Sequence, residues 1–600
     1  MIVSNYSQVW DLERIFLGGS DSASFKEHLK QLESKINKLE QRVSSFKTPH
    51  EINDSIQMAD LIDYIANIRI HLSQANSFIT CLLSQNSNDQ QAVSLRVKAT
   101  SLVGRYEDAL KKVQRILLKT NITLWNEIVG TKELSTYKFL LNEWREKAAM
   151  LLSEEEESLV SSLMVNGYHA WGQFYQSLIS SISVNIPMDG EVKKLSVGQA
   201  INLRSHPVEE VRKAAHYALE GIWKEKEELF AKILNHIAGY RLQASNKRRI
   251  TNVIEEPLLE NRLKEKTLNA MWEAVNKYKL PFMNYLKQKA EMLGTEKMPS
   301  YNFWAPITET NQTIKYEDAV DFILNRFCHF GNELESFTRQ AFENGWIESE
   351  NRPNKSQVAF CAGFPLSGES RIFMTYSDTI TNVLTLAHEL GHAFHNDAMK
   401  QVNGLNRHYP LSIAETASTF AEMFILDAAK DEAETVEDKL FLLDEKLKRS
   451  VMNFMNIQSR FMFEQTFYEE RKKGFVSSSR LNELMQEAIE KCYGDSFDSV
   501  SSRSWIWTPH FYITHSPFYN FPYTFGYLIS ISMYAISKKK GKEFEKNYIE
   551  LLHDSGSMST EDLVMKHLGE DITLAEFWEK GMELCVKDAV EFISITSQVG

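Results

Sequence analysis

Cysteine is scarce in this sequence. Cys81, Cys328, Cys361, Cys492 and Cys585 are the whole supply in 600 residues, an odd number, widely spread and without a CxxC pair. That excludes a disulfide framework and fits a reduced, cytoplasmic setting. Positive charge is also in deficit: 67 Lys and Arg face 80 Asp and Glu, for a net charge of −13. Phosphate backbones need a basic surface, so no nucleic-acid partner is expected. Long apolar runs are missing too. The most apolar stretch, "FGYLISISMYAI", is too short to span a bilayer and carries two serines, so no membrane partner is expected. The N-terminal "MIVSNYSQVWDLERIF" lacks a basic head, an apolar run and a small-residue cleavage site, which argues against export. There is no internal repeat, and low complexity is confined to Lys538–Lys540.

What is present is helix. Hydrophobic content of 43% and charged content of 24% are those of an ordinary soluble globular protein. The length suggests roughly two to four domains. Apolar residues recur every three or four positions from Ser24 through Leu118. "SEEEESLVSSLM" opens a further helix with a serine cap and acids in its first turn, where the helix dipole favours them. The pattern breaks at "SVNIPMDGEVKKLSVGQ", Ser183 to Gln199, where Asp189-Gly190 reads as a hairpin turn. That break predicts a boundary between a helical N-terminal lobe, 1–183, and a larger region, 184–600. Long helix resumes at "HPVEEVRKAAHYALEG", with Pro207 at its first turn. Two short apolar segments, "SQVAFCAGFP" and "SRIFMTYS", read as strands between Ser356 and Ser377.

Directly after them comes "LTLAHELGHAFHND". Asp378 or Thr379 can cap a helix there, and His388 and His392, four apart, project from one face. Two imidazoles so placed can share a zinc ion. Glu389, beside the first histidine, can take a proton from a water at the metal and return it to a leaving amine. Gly391 costs about 1 kcal/mol relative to alanine inside a helix. A close backbone approach by a neighbouring element would explain it.

A zinc peptidase needs a third protein ligand. The metzincin pattern would put glycine at 395 and histidine at 398; His395 and Ala398 exclude it. The other common solution is a glutamate on a following helix, and "PLSIAETASTFAEMFILDAA", Pro410 to Ala429, supplies one. Glu415 lies among Ala414, Ala417 and Ser418, small residues that let two helices pack closely. Glu422, seven residues on, shares its face and is expected to support the ligands from behind. His395 is expected in a structural or supporting place, and His408 on the surface.

"LAHELGHAFH" followed by "SIAETASTFAE" resembles the oligoendopeptidase F and thimet oligopeptidase group of zinc peptidases, and the spacing from His392 to Glu415 fits. The resemblance runs over roughly Val197 to Phe577 and takes in "FWAPI", "FCAGFP" and "FYNFPYTFGY"; the residues before it match only in being helical. It implies a mainly α protein, a two-lobed helical clamshell around a deep channel, with a small β-sheet beside the zinc-binding helices. It carries ligation of one Zn²⁺ to His388, His392 and Glu415, and general base and acid work to Glu389. The group also uses a tyrosine- and histidine-bearing segment near the C-terminus, here "TPHFYITHSPFYNFPYTFGYL", Thr508 to Leu528. An oxyanion needs donors besides the metal, and phenol or imidazole can supply them. Thimet-type members have a glycine-rich loop at this place, where this chain has Pro517, Phe518 and Pro522. Tyr519 is the first choice as donor, then His510 or His515, with Tyr523 and Tyr527 behind them as substrate contacts. The "SRIFMTYS" strand could hold an extended peptide along an exposed sheet edge.

The leading reading is an intracellular zinc endopeptidase acting on short unstructured peptides. One alternative keeps the chemistry but trims C-termini as a dipeptidyl carboxypeptidase, which needs a cationic group for the terminal carboxylate. Another is an inactive helical peptide-binding protein; the intact Glu389 argues against it.

Overall fold

Why these residues form helices is plain from the first of them. Ala23–Ser45 buries Phe25, Leu29, Leu32, Ile36, Leu39 and Val43, one face at helical spacing, and its capping Ser22 side chain accepts from Phe25 N. The computed structural model describes residues 6–188, 190–308, 313–356 and 358–599. It is mainly α-helical, with two small sheets. The helices Asp54–Gln85 and Gln90–Leu118 follow the first. The expected serine start at Ser153 is a full capping box: its side chain bonds the backbone of Glu156, and the Glu156 side chain returns to the backbone of Ser153. The long helix runs Glu209–Lys247 behind the cap Val208, so Pro207 lies just outside it rather than in its first turn. No helix of the described residues is long and apolar enough to cross a membrane.

Strands β1 (Ser183–Met188) and β2 (Glu191–Ser196) pair antiparallel as the expected hairpin. Gly190 has φ 81° in its turn, and Asp189 lies outside the described residues. The second sheet comprises β3 (Ile347–Glu348), β4 (Phe360–Phe364) and β5 (Glu369–Phe373) in the order β3-β5-β4. β5 is antiparallel to β4 and parallel to β3. This corrects the expectation that "SRIFMTYS" offers a peptide-binding edge. Its outer amides are taken: Ile372, Met374 and Tyr376 N donate to the carbonyls of Trp346, Glu348 and Ser349 at 2.9 Å.

The chain divides into two compact units that interleave along the sequence. One comprises Met1–Met150, Gln312–Ile425 and Ile536–Asp571; the other Leu151–Asn311, Leu426–Ala535 and Ile572–Gly600. This differs from a single break at 183/184, and the reason is burial. Leu29, Phe78 and Leu141 of the N-terminal helices share one hydrophobic core with Ala362 and Phe364 of β4 and Phe373 of β5. The N-terminal helices therefore form the floor under the sheet, and the sheet packs on the helix Ile380–Ala398, which carries the histidine motif.

The second unit has a core of its own, and it holds buried charge. Lys446 Nζ bridges Asp427 and Asp588, 2.6 Å from the latter, while Tyr534 donates to Asp427 at 2.9 Å. Each charge is paired, which is what makes its burial tolerable.

Candidate metal centre

Thr379 caps the motif helix, its hydroxyl accepting from Asn382 N, and Asp378 sits just outside at φ 56°. Val383, Leu384, Leu386, Ala387, Leu390 and Phe394 bury one side of the helix. Gly391 lies on that side, and the space a Cβ would need is taken. It would stand 2.5 Å from the carbonyl oxygen of Ala417 and 2.6 Å from Ser418 Cα. The expected close approach is thus backbone against backbone. The neighbouring helix, Thr416–Asp431, follows a short one, Leu411–Ala414, and Glu415 occupies the joint between them. The single helix expected from Pro410 to Ala429 is broken there, at φ −88° and ψ 3°.

That packing brings three side chains together. Glu415 Oε2 lies 3.4 Å from His388 Nε2 and 3.5 Å from His392 Nε2, and one donor atom from each residue falls within 4.8 Å of the others. These separations exceed an ordinary N–H···O bond of about 2.9 Å. They match the roughly 3.4 Å edge of a tetrahedron whose metal–ligand bonds are about 2.1 Å. His388 Nδ1 lies 3.2 Å from Glu422 Oε2. A carboxylate only accepts, so that contact holds the proton on Nδ1 and leaves the Nε2 lone pair facing Glu415. Lone pair then faces carboxylate oxygen, an arrangement that a cation between them relieves. The donor set fits zinc.

Electrostatics separate the two acids. Burial alone would raise the Glu415 carboxyl; positive charge between it and the two imidazoles, carried as a proton on Nε2 when no cation is bound there, outweighs burial and holds it well below the usual carboxylate range. Glu389 goes the other way. It is 5% exposed, and burial raises its pKa against the opposing pull of His392 and His388, with the Glu415 charge adding to the rise. Its Oε2 is buried, without a hydrogen-bond partner among the described residues. A carboxylate oxygen left so is ready to receive a proton.

The other expected residues fall into two groups. His395 is fully buried, bonds Ser555 Oγ through Nε2 at 2.9 Å and stacks on Tyr409 with ring centres 4.1 Å apart, a packing role. His408 is exposed. In the second unit, His510, Tyr519 and Tyr523 form one cluster, with ring centres 5.4 to 5.8 Å apart. His515 is exposed and bears on His169 rather than on that cluster. Tyr527, expected as a substrate contact, is 7% exposed, and its hydroxyl lies 3.1 Å from Ser450 Oγ. Its surroundings are those of a core side chain. Asn520 was missed from sequence. Fully buried, it meets His510 Nδ1 at 2.8 Å through its Oδ1; an asparagine inside the apolar run "FYNFPY" was the available signal.

Two family models match the chain: Peptidase family M3 over residues 202–584 and Oligopeptidase F over residues 117–183. An oligoendopeptidase F homolog of Lactococcus lactis subsp. lactis is 23% identical over 595 residues, covering 96% of this chain and 95% of its own. A crystal structure of oligoendopeptidase-F from Enterococcus faecium superposes with a TM-score of 0.71 at 18% identity, covering 96% of this chain and 100% of that one. A Chlamydophila abortus chain reaches a TM-score of 0.83 at 19% identity, covering 99% of both. The class these matches define is a mainly helical peptidase. The chain belongs to peptidase family M3, and the resemblance to oligoendopeptidase F read from its motifs is borne out.

The Gly391 contact makes a prediction. Gly391→Ala should force the two helices apart or strain the motif helix, at about 1–3 kcal/mol. Thermal unfolding should show a lowered midpoint, and zinc affinity should fall with it. A variant that keeps both would mean that the helix crossing has slack.

Proposed function

We propose that this chain is a zinc-dependent oligoendopeptidase that hydrolyses internal bonds of short peptides. The observation that carries the reading is the His388, His392 and Glu415 group beside a buried Glu389 oxygen with no partner. The names of the Lactococcus and Enterococcus relatives support the substrate class. Five cysteines, none of them in a disulfide, fit a reducing compartment, and we assign the chain to the cytoplasm.

His388, His392 and Glu415 would hold one zinc ion. Bound there, zinc supplies a Lewis acid for water and for the scissile carbonyl. Glu389 accepts the proton of the attacking water and passes it to the departing amine. Its desolvation raises its basicity, which suits the first transfer, and keeps the protonated form accessible for the second. Glu422 fixes the tautomer and the ring angle of His388.

For the oxyanion, Tyr519 is the better donor. With Nδ1 of His510 donating to Asn520 Oδ1, a neutral His510 offers only a lone pair at Nε2. Burial keeps it neutral by lowering its pKa; the Asn520 bond opposes that shift and the Arg460 charge adds to it. A phenol donates without changing charge state.

Three outcomes follow. Glu389→Gln should retain about one zinc per chain while kcat falls by at least about 10²-fold, since an amide cannot take the proton; near-normal turnover would sink the mechanism. In metal titrations, Glu415→Ala should lose far more zinc affinity than Glu422→Ala, for which about 10–100-fold is expected. Equal losses would mean that the third ligand lies elsewhere. Tyr519→Phe keeps the ring and should lower kcat by about 10²–10³-fold with little change in KM; unchanged kinetics would leave Tyr519 a packing residue.

A further inference from the structure

The second unit encloses a cavity of about 400 Å³ that the reaction as described does not use. Part of its wall is aromatic, formed by Phe303 and Trp304 of "FWAPI", Tyr493, Phe497 and Trp507. Two arginines line it as well. The guanidinium of Arg204 stands over the Trp507 ring, 4.2 Å from its centre. None of its N–H groups finds a hydrogen-bond acceptor among the described residues. Arg460 makes a single long contact, 3.5 Å from Nη1 to Asn520 Oδ1. Glu220, whose charge is felt at Arg204, accepts from Ser501 and lies 3.9 Å from Arg503.

Two cations thus face one cavity, and among the described residues no carboxylate is bonded to either. Burial pushes both guanidiniums down to about 10; Glu220 opposes this at Arg204, while Tyr493 opposes it and Arg204 adds to it at Arg460. Both arginines are half-buried, so each gives up part of its hydration without gaining an anionic acceptor, which favours an anion between them. A guanidinium fork matches a carboxylate through two parallel N–H···O bonds, and aromatic walls favour an apolar group beside it. A carboxylate joined to an apolar side chain describes the last residue of a peptide.

We propose that this cavity anchors the C-terminal residue of a peptide, with Arg204 and Arg460 holding its α-carboxylate and the aromatic wall taking an apolar side chain. The proposal rests on the peptidase reading and names the end of the peptide that is held. Arg460 also links the cavity to the His510, Tyr519 and Tyr523 cluster, because the Asn520 Oδ1 that it contacts is the acceptor for His510.

The test is calorimetric binding to full-length, zinc-loaded Glu389→Gln protein, which should bind without cutting. Three blocked tetrapeptides serve as probes: N-acetyl-Ala-Ala-Gly-Phe as free acid, the same peptide as C-terminal amide, and the amide with glutamate in place of the second alanine. The free acid should bind at least about 10-fold tighter than the amide, the size expected for charge-assisted hydrogen bonds. The glutamate-bearing amide should bind like the plain amide. Arg204→Gln should remove the acid preference, and Arg460→Gln should reduce it. Equal binding of acid and amide overturns the proposal, as does a glutamate-bearing amide that binds as tightly as the acid. An acid preference that survives Arg204→Gln but disappears on chelation would put the carboxylate on the metal and also overturns it. If an arginine variant fails to fold, by its circular dichroism melt, the acid and amide comparison in the unaltered cavity, repeated after chelation, still decides: a preference that vanishes with the metal overturns the proposal and one that persists supports it. The peptidase reading fails separately, through turnover that survives Glu389→Gln, and that result leaves the binding measurement standing.

Discussion

Backbone meets backbone where the motif helix crosses the helix that follows Glu415, and the proposed metal centre depends on that contact. A methyl group at position 391 would overlap the Ala417 carbonyl. Without it the two helices approach closely enough for Glu415, at a break in its own helical path, to reach the imidazoles of residues one turn apart. Glycine inside a helix is a local loss of stability. Here the loss is offset by a crossing that a larger residue would block, and the small residues Ala417 and Ser418 on the facing helix serve the same end.

The rest of the first unit keeps that crossing in place. The N-terminal helices share a core with β4 and β5, and the sheet in turn packs on the buried side of the motif helix. The imidazoles therefore project from a helix whose other face is fixed by Val383, Leu386 and Phe394. On the exposed side the charges are graded. Glu415 is held anionic by the positive charge between it and the imidazoles, Glu422 directs one of those rings, and Glu389 is left desolvated with an open oxygen. Three glutamates within one small region thus have three environments, and the proposed roles follow those environments.

Sequence reading reached this centre because its determinants are local. Helical spacing sets His388 and His392 on one face, Gly391 announces a close neighbour, and small residues around Glu415 mark the partner helix. Where pairing is distant, reading failed. β5 reads as an exposed edge in the sequence because its second partner, β3, is two residues long and carries no strand pattern of its own. The break at residues 183–199 is real, yet the compact units ignore it, since Leu29 and Phe364 share a core that no local signal connects. The tyrosine and histidine segment was found as a segment but not resolved residue by residue. Burial of Tyr527 and the hold of Asn520 on His510 depend on side chains brought in from other helices. The arginine-lined cavity gathers residues 204, 304, 460 and 507, whose sequence neighbourhoods share nothing.

The central claim is that these three side chains, set by that crossing, form a single metal site. Crystals of the zinc-loaded protein measured on both sides of the zinc absorption edge test it most directly. The account predicts one anomalous peak per chain, about 2.0–2.2 Å from His388 Nε2, His392 Nε2 and a carboxylate oxygen of Glu415. A peak held by other residues, or no peak at this position in protein shown to contain stoichiometric zinc, would contradict it.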